Sequence, residues 1–118
     1  MSLRNNNICM TKTPHRIGLI GGGTDILDFC KFHGGLVASF TINKFVWVTA
    51  KRHSSVFNER FRINYSQTEI GNDFREIKNE IVRETLRTLQ INFPVYIETN
   101  GDVQSGSGLG SSSSFCVG

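Results

Sequence analysis

The segment Ser105–Ser114 contains only glycine and serine apart from Leu109, and it leads directly into the apolar residues Phe115–Val117. Glycines let successive backbone N–H groups point into one concavity, because no Cβ blocks an approaching ligand. A helix that begins near Ser111 would direct its unpaired N–H groups and its positive dipole end toward the same point. The segment therefore predicts either a phosphate-binding loop or a flexible linker, and composition alone leaves the two evenly matched.

Other glycine motifs fit this loop less well. The P-loop of nucleoside triphosphatases requires a lysine before Ser or Thr, and no lysine follows Lys78. A dinucleotide-binding fingerprint requires its third glycine at position 111, which is serine. A nucleophile elbow requires a glycine two residues on each side of the serine, and no serine here has both. The histidines and cysteines show no metal-binding spacing.

The spacing of apolar residues predicts a series of strands and helices along the chain. The first expected elements are a strand over Arg16–Ile20 and a helix from Thr24-Asp25 to Gly34. A hairpin of Leu36–Ile42 and Phe45–Ala50, turning at Asn43-Lys44, and a strand over Phe61–Tyr65 are expected next. The last are a helix from Asn72 or Asp73 to about Gln90, a strand over Phe93–Thr99 and a helix from about Ser111. Several strands run together after the first helix. This order favours an α+β fold with helices packed on one face of a mixed or antiparallel sheet.

The bulk properties are those of one globular domain. The chain has 118 residues, a net charge of +3 and a pI near 9.0, which suits anionic ligands but also fits a chance surface excess. Three widely spaced cysteines favour a reducing cytoplasm, and no apolar run reaches the roughly 18 residues of a membrane span. Because the chain stops about one turn into an apolar helix, we expect it to be a piece of a longer protein.

Two segments together resemble one family. Gly108–Ser113 is similar to the second signature of the GHMP small-molecule kinases, which include galactokinase, homoserine kinase and mevalonate kinase. Pro14–Asp25 resembles the first signature of that family. Its run Gly21-Gly22-Gly23-Thr24-Asp25 is typical of the heptose and fucose kinase branch. Two motifs in the right order are far more specific than either alone, and the resemblance covers nearly the whole chain from about residue 10.

Further positions agree with that branch, and two depart from the wider family. His33-Gly34-Gly35 and Ile42-Asn43-Lys44 match the branch in order and spacing. Gly22-Gly23 stands where galactokinases have Glu-His, which argues against a plain galactokinase. Gln104 stands where proline commonly leads into the phosphate loop, which costs rigidity but removes no ligand.

The resemblance implies a fold and a reaction. Residues 1–118 would be the N-terminal portion of a GHMP kinase domain with the ribosomal-protein-S5-domain-2-like fold, lacking the rest of that domain and the C-terminal domain. The reaction would be phosphoryl transfer from MgATP to a hydroxyl, the anomeric one, of a sugar such as D-glycero-D-manno-heptose 7-phosphate. The family's acidic catalytic residue and third glycine-rich motif lie beyond Gly118, so we expect this piece alone to be inactive.

The resemblance also assigns roles by position. Arg16 would stabilise the transferring phosphoryl group, although without the resemblance it is more simply a surface arginine. Asp25 would accept hydrogen bonds from sugar hydroxyls, although it could equally cap a helix. The full expected sets are Gly21, Gly22, Gly23, Thr24 and Asp25 for the sugar, and Ser107, Gly108, Leu109, Gly110, Ser111, Ser112 and Ser113 for the ATP phosphates. Ser112 is the hydroxyl expected nearest the Mg²⁺ that ATP carries, with Ser111 second.

The expected partners are therefore ATP and a small sugar or sugar phosphate. No binding to nucleic acid or to a membrane is expected, and the sequence leaves open whether the protein forms a homodimer. A fucose-type or other sugar kinase is the alternative within the family. Outside kinases, one alternative is a non-catalytic nucleotide- or RNA-binding module, which needs basic residues clustered with exposed aromatics. The other is a dinucleotide-dependent oxidoreductase, which needs a βαβ unit around the glycines.

Overall fold

The computed structural model describes residues 8–118, and strands predominate in them. The elements are β1 Ile8–Ile20, α1 Leu27–His33, β2 Ala38–Arg52, β3 Phe61–Asn64, β4 Thr68–Gly71, a 3₁₀ turn Phe74–Glu76, α2 Glu80–Thr88, β5 Val95–Gly101 and α3 Ser111–Val117. The strands form one sheet in the order β1-β2-β5-β3-β4. Strand β3 pairs antiparallel with β4 and parallel with β5, so the sheet is mixed. The expectation of an α+β fold with a mixed sheet is confirmed.

Strand β1 is longer than the sequence predicts, because it continues through Pro14. Proline cannot donate to a neighbouring strand, and within sheets it is therefore tolerated mainly at an edge. Strand β1 lies at the edge of the sheet order. The position of the strand explains why Pro14 does not end it.

The predicted hairpin at Asn43-Lys44 is wrong, since Ala38–Arg52 is one strand. A two-residue hairpin turn of the favoured type needs a positive φ at both central residues. Among the described non-glycine residues, only Gln90 has a positive φ. Strand β2 also has a neighbour on each side, β1 and β5, and pairing with them favours the extended conformation.

The predicted long helix begins later than expected. Asp73 caps only a 3₁₀ turn, Ile77 is extended and almost fully buried, and α2 starts after Asn79. The Asn79 side chain accepts a 3.2 Å hydrogen bond from the Val82 N–H, which is an N-cap. Burial of Ile77 and this cap together separate the 3₁₀ turn from α2. The apolar spacing in the sequence is the same for one long helix and for a turn followed by a helix, so it could not reveal the break.

Strand β4, which the sequence reading missed, helps to fix that break. Glu69 of β4 accepts hydrogen bonds from the backbone N–H groups of Lys78 and Asn79, at 2.5 and 3.0 Å. Desolvation raises the pKa of the Glu69 carboxyl, but hydrogen bonds from Tyr65, Lys78 and Asn79 outweigh it and hold the pKa below its usual value. The carboxylate thus satisfies donors just before α2 that would otherwise lack partners.

The chain divides into two compact units. The first contains residues 8–12, Trp47–Asn100 and Gly118. Its core is apolar: Val82 and Leu86 of α2 are buried, as are Phe61 and Ile63 of β3. Each such side chain contributes roughly 1.5–3 kcal/mol by leaving water, so this unit has the usual source of globular stability.

The second unit contains Thr13–Val46 and Gly101–Val117. Helix α1 buries none of its residues, and Phe32 and Leu36 are 75% and 82% exposed. The buried groups of this unit include the polar side chains of His15 and Ser114. All the residues that the sequence predicts to bind ATP or sugar belong to this unit.

Candidate functional site

Strand β1 and the Gly/Ser loop meet at Arg16. The Arg16 N–H donates a 3.1 Å hydrogen bond to the carbonyl of Leu109, in the middle of the loop. A Cβ built on Gly110 would lie 3.2 Å from Arg16 Cγ and 3.6 Å from Arg16 Nε, so the arginine side chain runs directly past Gly110. The structure therefore brings Arg16 together with Leu109 and Gly110 of the expected phosphate loop, and the side chain of Arg16 is exposed.

Two residues missed by the sequence reading strengthen this junction. His15 is fully buried, and its Nδ1 lies 3.3 Å from the Leu109 carbonyl oxygen. Ser114 is also buried, and its hydroxyl donates a 2.9 Å hydrogen bond to the Pro14 carbonyl. The available sequence signal was the position of His15, between Pro14 and Arg16 of the first signature. Three consecutive residues of β1 thus hold the loop and the helix that follows it.

The loop itself has the backbone of a concave turn. Gly106, Gly108 and Gly110 have φ values of 82°, 76° and 74°, a region that residues with a side chain rarely adopt. Helix α3 begins at Ser111, as the sequence predicts. Ser107, Ser112 and Ser113 are exposed, so their hydroxyl groups are accessible to a ligand. The Ser111 Oγ is instead buried and has no hydrogen-bond partner among the described residues.

The glycine turn Gly21–Gly23 packs against Leu36. A Cβ on Gly21 would fall 1.8 Å from the Leu36 carbonyl oxygen, and Gly21 has a φ of 82°, so no other residue fits this position. The Thr24 hydroxyl lies 2.8 Å from the Gly21 carbonyl and 3.0 Å from the Leu36 carbonyl, and it accepts from the Leu36 N–H at 3.1 Å. Thr24 therefore has a structural task in closing the turn, beside the sugar contact expected of it.

Asp25 does not cap helix α1. The N-cap residue is Ile26, which makes no side-chain capping hydrogen bond, and Asp25 Oδ1 instead accepts from the Gly23 N–H at 3.2 Å. The short Asp25 side chain thereby bonds to the backbone two residues earlier in the chain. The hydrogen bonds of Gly21–Asp25 thus include bonds within that segment and bonds to Leu36. The Asp25 carboxylate is exposed and retains acceptor sites for hydroxyl groups.

The part of the chain that the structure describes was searched for clusters of metal-binding side chains and for helices that could cross a membrane. Residues 8–118 contain no group of three or more His, Cys, Asp or Glu side chains arranged to hold a metal ion. None of the helices in that range has the length and apolar character needed to cross a bilayer.

Sequence comparison matches this chain to known kinases. Residues 75–118 match the family model of the GHMP kinases N terminal domain. The D-glycero-alpha-D-manno-heptose 7-phosphate kinase of Campylobacter jejuni is 38% identical over 121 residues, which cover 92% of this chain and 34% of that enzyme. The chain therefore spans about a third of the length of this relative.

Structural comparison agrees with the sequence comparison. A D-glycero-D-manno-heptose 1-phosphate kinase from Bacteriodes thetaiotaomicron superposes with a TM-score of 0.73 at 26% identity, covering 93% of this chain and 39% of that protein. The galactokinase of Lactococcus lactis, solved with galactose, gives a TM-score of 0.63 at 17% identity, covering 96% of this chain and 31% of the galactokinase. The second likeness shows a shared fold, and the first also extends to sequence.

Proposed function

We propose that this chain, whose sequence and fold match the N-terminal part of the GHMP kinases, binds the phosphates of ATP in an ATP-dependent sugar kinase. Residues 1–118 would be the N-terminal portion of the kinase domain. The observation that carries the proposal is the contact of Arg16 with Leu109 and Gly110, because it joins the two signatures in one place. A flexible linker does not need the hydrogen-bonding contact that the buried His15 makes with Leu109.

The loop fits a triphosphate in three respects. The alternating glycines Gly106, Gly108 and Gly110 have a left-handed backbone, a conformation that allows neighbouring N–H groups to point toward one anion. A Cβ at Gly106 or Gly108 would meet no atom within 4 Å, so space is open beside the backbone there. Exposed hydroxyls at Ser107, Ser112 and Ser113 can donate to phosphate oxygens. The phosphate contacts would come from Ser107, Gly108, Leu109, Gly110, Ser111, Ser112 and Ser113.

Bound ATP would supply the phosphoryl group, and its Mg²⁺ would offset the charge that develops on the phosphate oxygens. Ser112 is the better of the two candidate hydroxyls for that ion, because its side chain is exposed while the Ser111 Oγ is buried. Arg16 would act beside the loop as a fixed positive group for the transferring phosphoryl group. The chain's own residues therefore position the donor and stabilise charge rather than form a covalent intermediate.

The sugar would bind at the glycine turn. Asp25 has one oxygen committed to the Gly23 N–H, and its exposed carboxylate can still accept from sugar hydroxyls. A Cβ on Gly22 or Gly23 would meet nothing within 4 Å, so space is open on that side of the backbone. Gly21 and Thr24 would hold the turn in shape through their contacts with Leu36.

We propose a heptose phosphate as the acceptor, phosphorylated at its anomeric hydroxyl. The support is the 38% identity to a heptose 7-phosphate kinase, together with the Gly21–Asp25 run of the same branch. The structural relative from Bacteriodes thetaiotaomicron is instead named as a kinase of heptose 1-phosphate, so both heptose phosphates belong in the test. A fucose-type or other sugar kinase is the alternative within this class. The cytoplasm, where ATP is available, is the proposed location.

The test is ADP release by the protein at its natural length. It would be incubated with MgATP and, in separate reactions, D-glycero-D-manno-heptose 7-phosphate, the 1-phosphate, fucose, galactose and mannose. We expect turnover with the 7-phosphate and at least tenfold lower kcat/KM with the neutral sugars. We also expect residues 1–118 alone to show no sugar phosphorylation. ADP release with none of these sugars would refute the proposed function.

An RNA-binding module is the second candidate, and one observation bears on it. Lys51 Nζ lies 4.8 Å from the centre of the Tyr96 ring, and Arg52 Cζ lies 4.5 Å from that of Phe93. Basic and aromatic side chains therefore do cluster in the first unit. A cation of the same chain lies over one face of each ring and would compete with a base for that face. We therefore expect no salt-sensitive RNA binding in a titration with single-stranded RNA.

A further inference from the structure

His15 is a buried polar residue whose hydrogen bonding is incomplete. It lies in β1 and is fully buried, with Nδ1 3.3 Å from the Leu109 carbonyl oxygen. Its other ring nitrogen, Nε2, is also buried and has no hydrogen-bond partner among residues 8–118. Buried polar atoms are nearly always paired, so an unpaired one calls for an explanation. A leucine of similar size would fill this position without that cost.

The Leu109 carbonyl explains what His15 contributes. This one oxygen accepts from the Arg16 N–H at 3.1 Å and is also within reach of His15 Nδ1. A carbonyl oxygen has two lone pairs and can accept both hydrogen bonds. Since a carbonyl cannot donate, the His15 contact is a hydrogen bond when Nδ1 carries the proton. The two consecutive β1 residues together saturate the carbonyl at the centre of the loop.

Leu109 is a critical point in the loop because a left-handed glycine lies on each side of it, Gly108 and Gly110. Glycines at these positions allow the required φ values, but they also let the loop backbone adopt many other conformations, in which its N–H groups point elsewhere. Fixing the Leu109 peptide group selects one of them. The Ser114 hydroxyl, bonded to the Pro14 carbonyl, fixes the start of α3 from the same strand.

We propose that His15 is a positioning residue for nucleotide binding. Its Nδ1–H holds the Leu109 carbonyl and so keeps the loop's N–H groups in the arrangement that receives the ATP phosphates. This inference rests on the proposed function. His15 itself would contact neither nucleotide nor sugar, since it is fully buried.

The test compares three substitutions in the protein at its natural length. In His15→Asn the amide nitrogen takes the place of Nδ1 and preserves the donor to Leu109. In His15→Gln the amide nitrogen takes the place of Nε2, and in His15→Leu no donor remains. We expect the Leu and Gln variants to raise the KM for ATP by about 3- to 10-fold, the equilibrium worth of one hydrogen bond, with the KM for sugar unchanged. The Asn variant should recover most of that loss.

Hydrogen exchange of residues 105–111, measured without nucleotide, gives a second readout. We expect exchange in this segment to be faster in His15→Leu and His15→Gln than in the parent, and close to the parent in His15→Asn. Thermal melting confirms that each variant folds. The inference is overturned if all three variants exchange alike in this segment, or if His15→Asn loses as much ATP affinity as His15→Leu. If the parent protein does not bind ATP, the proposed function fails, and the exchange data still decide whether His15 orders the loop.

Discussion

The side chain of Arg16 lies against Gly110, so closely that a Cβ at position 110 would come within 3.2 Å of Arg16 Cγ. The first signature and the Gly/Ser loop are therefore in direct contact, although most of the chain separates them. This contact couples the conformation of the loop to the position of the guanidinium group. It also allows the two effects to be separated by mutation.

Gly110→Ala and Gly108→Ala form a matched pair. Both glycines have φ values near 75°, but a Cβ at Gly108 would meet nothing within 4 Å. We expect each substitution to cost about 1–2 kcal/mol of stability from the left-handed backbone. Only Gly110→Ala should also displace Arg16 and lower kcat, by about tenfold or more relative to Gly108→Ala. Equal kcat values for the two variants would show that the Arg16 contact is irrelevant to turnover. Chemical denaturation and steady-state kinetics supply the measurements.

Arg16→Ala should abolish most activity without unfolding the protein. The side chain is exposed, so we expect the stability to change by less than about 0.5 kcal/mol. Loss of a charged donor to the transferring phosphoryl group should lower kcat by about 10²- to 10³-fold. Arg16→Lys retains the charge but not the planar guanidinium group, so its kcat should lie between those of Arg16→Ala and the parent. A kcat of Arg16→Ala within threefold of the parent would contradict the assigned role.

Asp25 can be tested with a substitution that keeps its turn. Asp25→Asn preserves an oxygen to accept from the Gly23 N–H, whereas Asp25→Ala removes it. We expect both to raise the KM for sugar by about tenfold or more, because the charged acceptor is lost. The KM for ATP should change less than twofold in Asp25→Asn. If Asp25→Asn binds sugar as the parent does while Asp25→Ala does not, Asp25 shapes the turn and does not bind the sugar.

Gln90→Gly should stabilise the protein. Gln90 has a φ of 53°, and its N–H bonds to the Arg87 carbonyl while the Ile91 N–H bonds to that of Leu86. This is the Schellman end of a helix, at which glycine is the favoured residue. We expect a gain of up to about 1 kcal/mol in the free energy of unfolding, measured by urea denaturation. Gln90→Ala serves as the control and should not stabilise, since alanine keeps the Cβ.

The Asp73–Arg75 pair predicts an acid-dependent contribution to stability. Arg75 donates to Asp73 through its side chain and its backbone N–H, which lowers the pKa of Asp73 from 3.8 to about 2. A lowered pKa in the folded state stabilises the protein above about pH 4, and this contribution disappears as the pH falls toward 2.

Arg75→Gln should therefore be less stable than the parent at pH 6, with a smaller difference at pH 2. The titration midpoint of the Asp73 carboxyl, followed by NMR, should move back toward 3.8 in that variant. A midpoint that stays near 2 after removal of the guanidinium group would show that the ion pair does not set this pKa.

The spacing of nearby residues correctly predicted those helices and strands whose formation is decided within a short stretch of the chain. Strands β3 and β5, helix α1 and the start of α3 at Ser111 lie close to where apolar spacing and glycine positions indicated them. The same reasoning failed at Asn43-Lys44 and at Ile77. In both cases the chain has local turn or helix propensity, and pairing with distant strands or burial in the core decided otherwise.

The sequence by itself determined the two glycine-rich segments, the helix after the second one and the resemblance that links them. These are properties of short runs of residues, in which backbone freedom and side-chain spacing suffice. Only the tertiary structure decided that His15 and Arg16 hold Leu109 and that Ser114 returns to Pro14. Contacts between residues 94 and 100 positions apart depend on how the whole chain packs, and no local pattern encodes them.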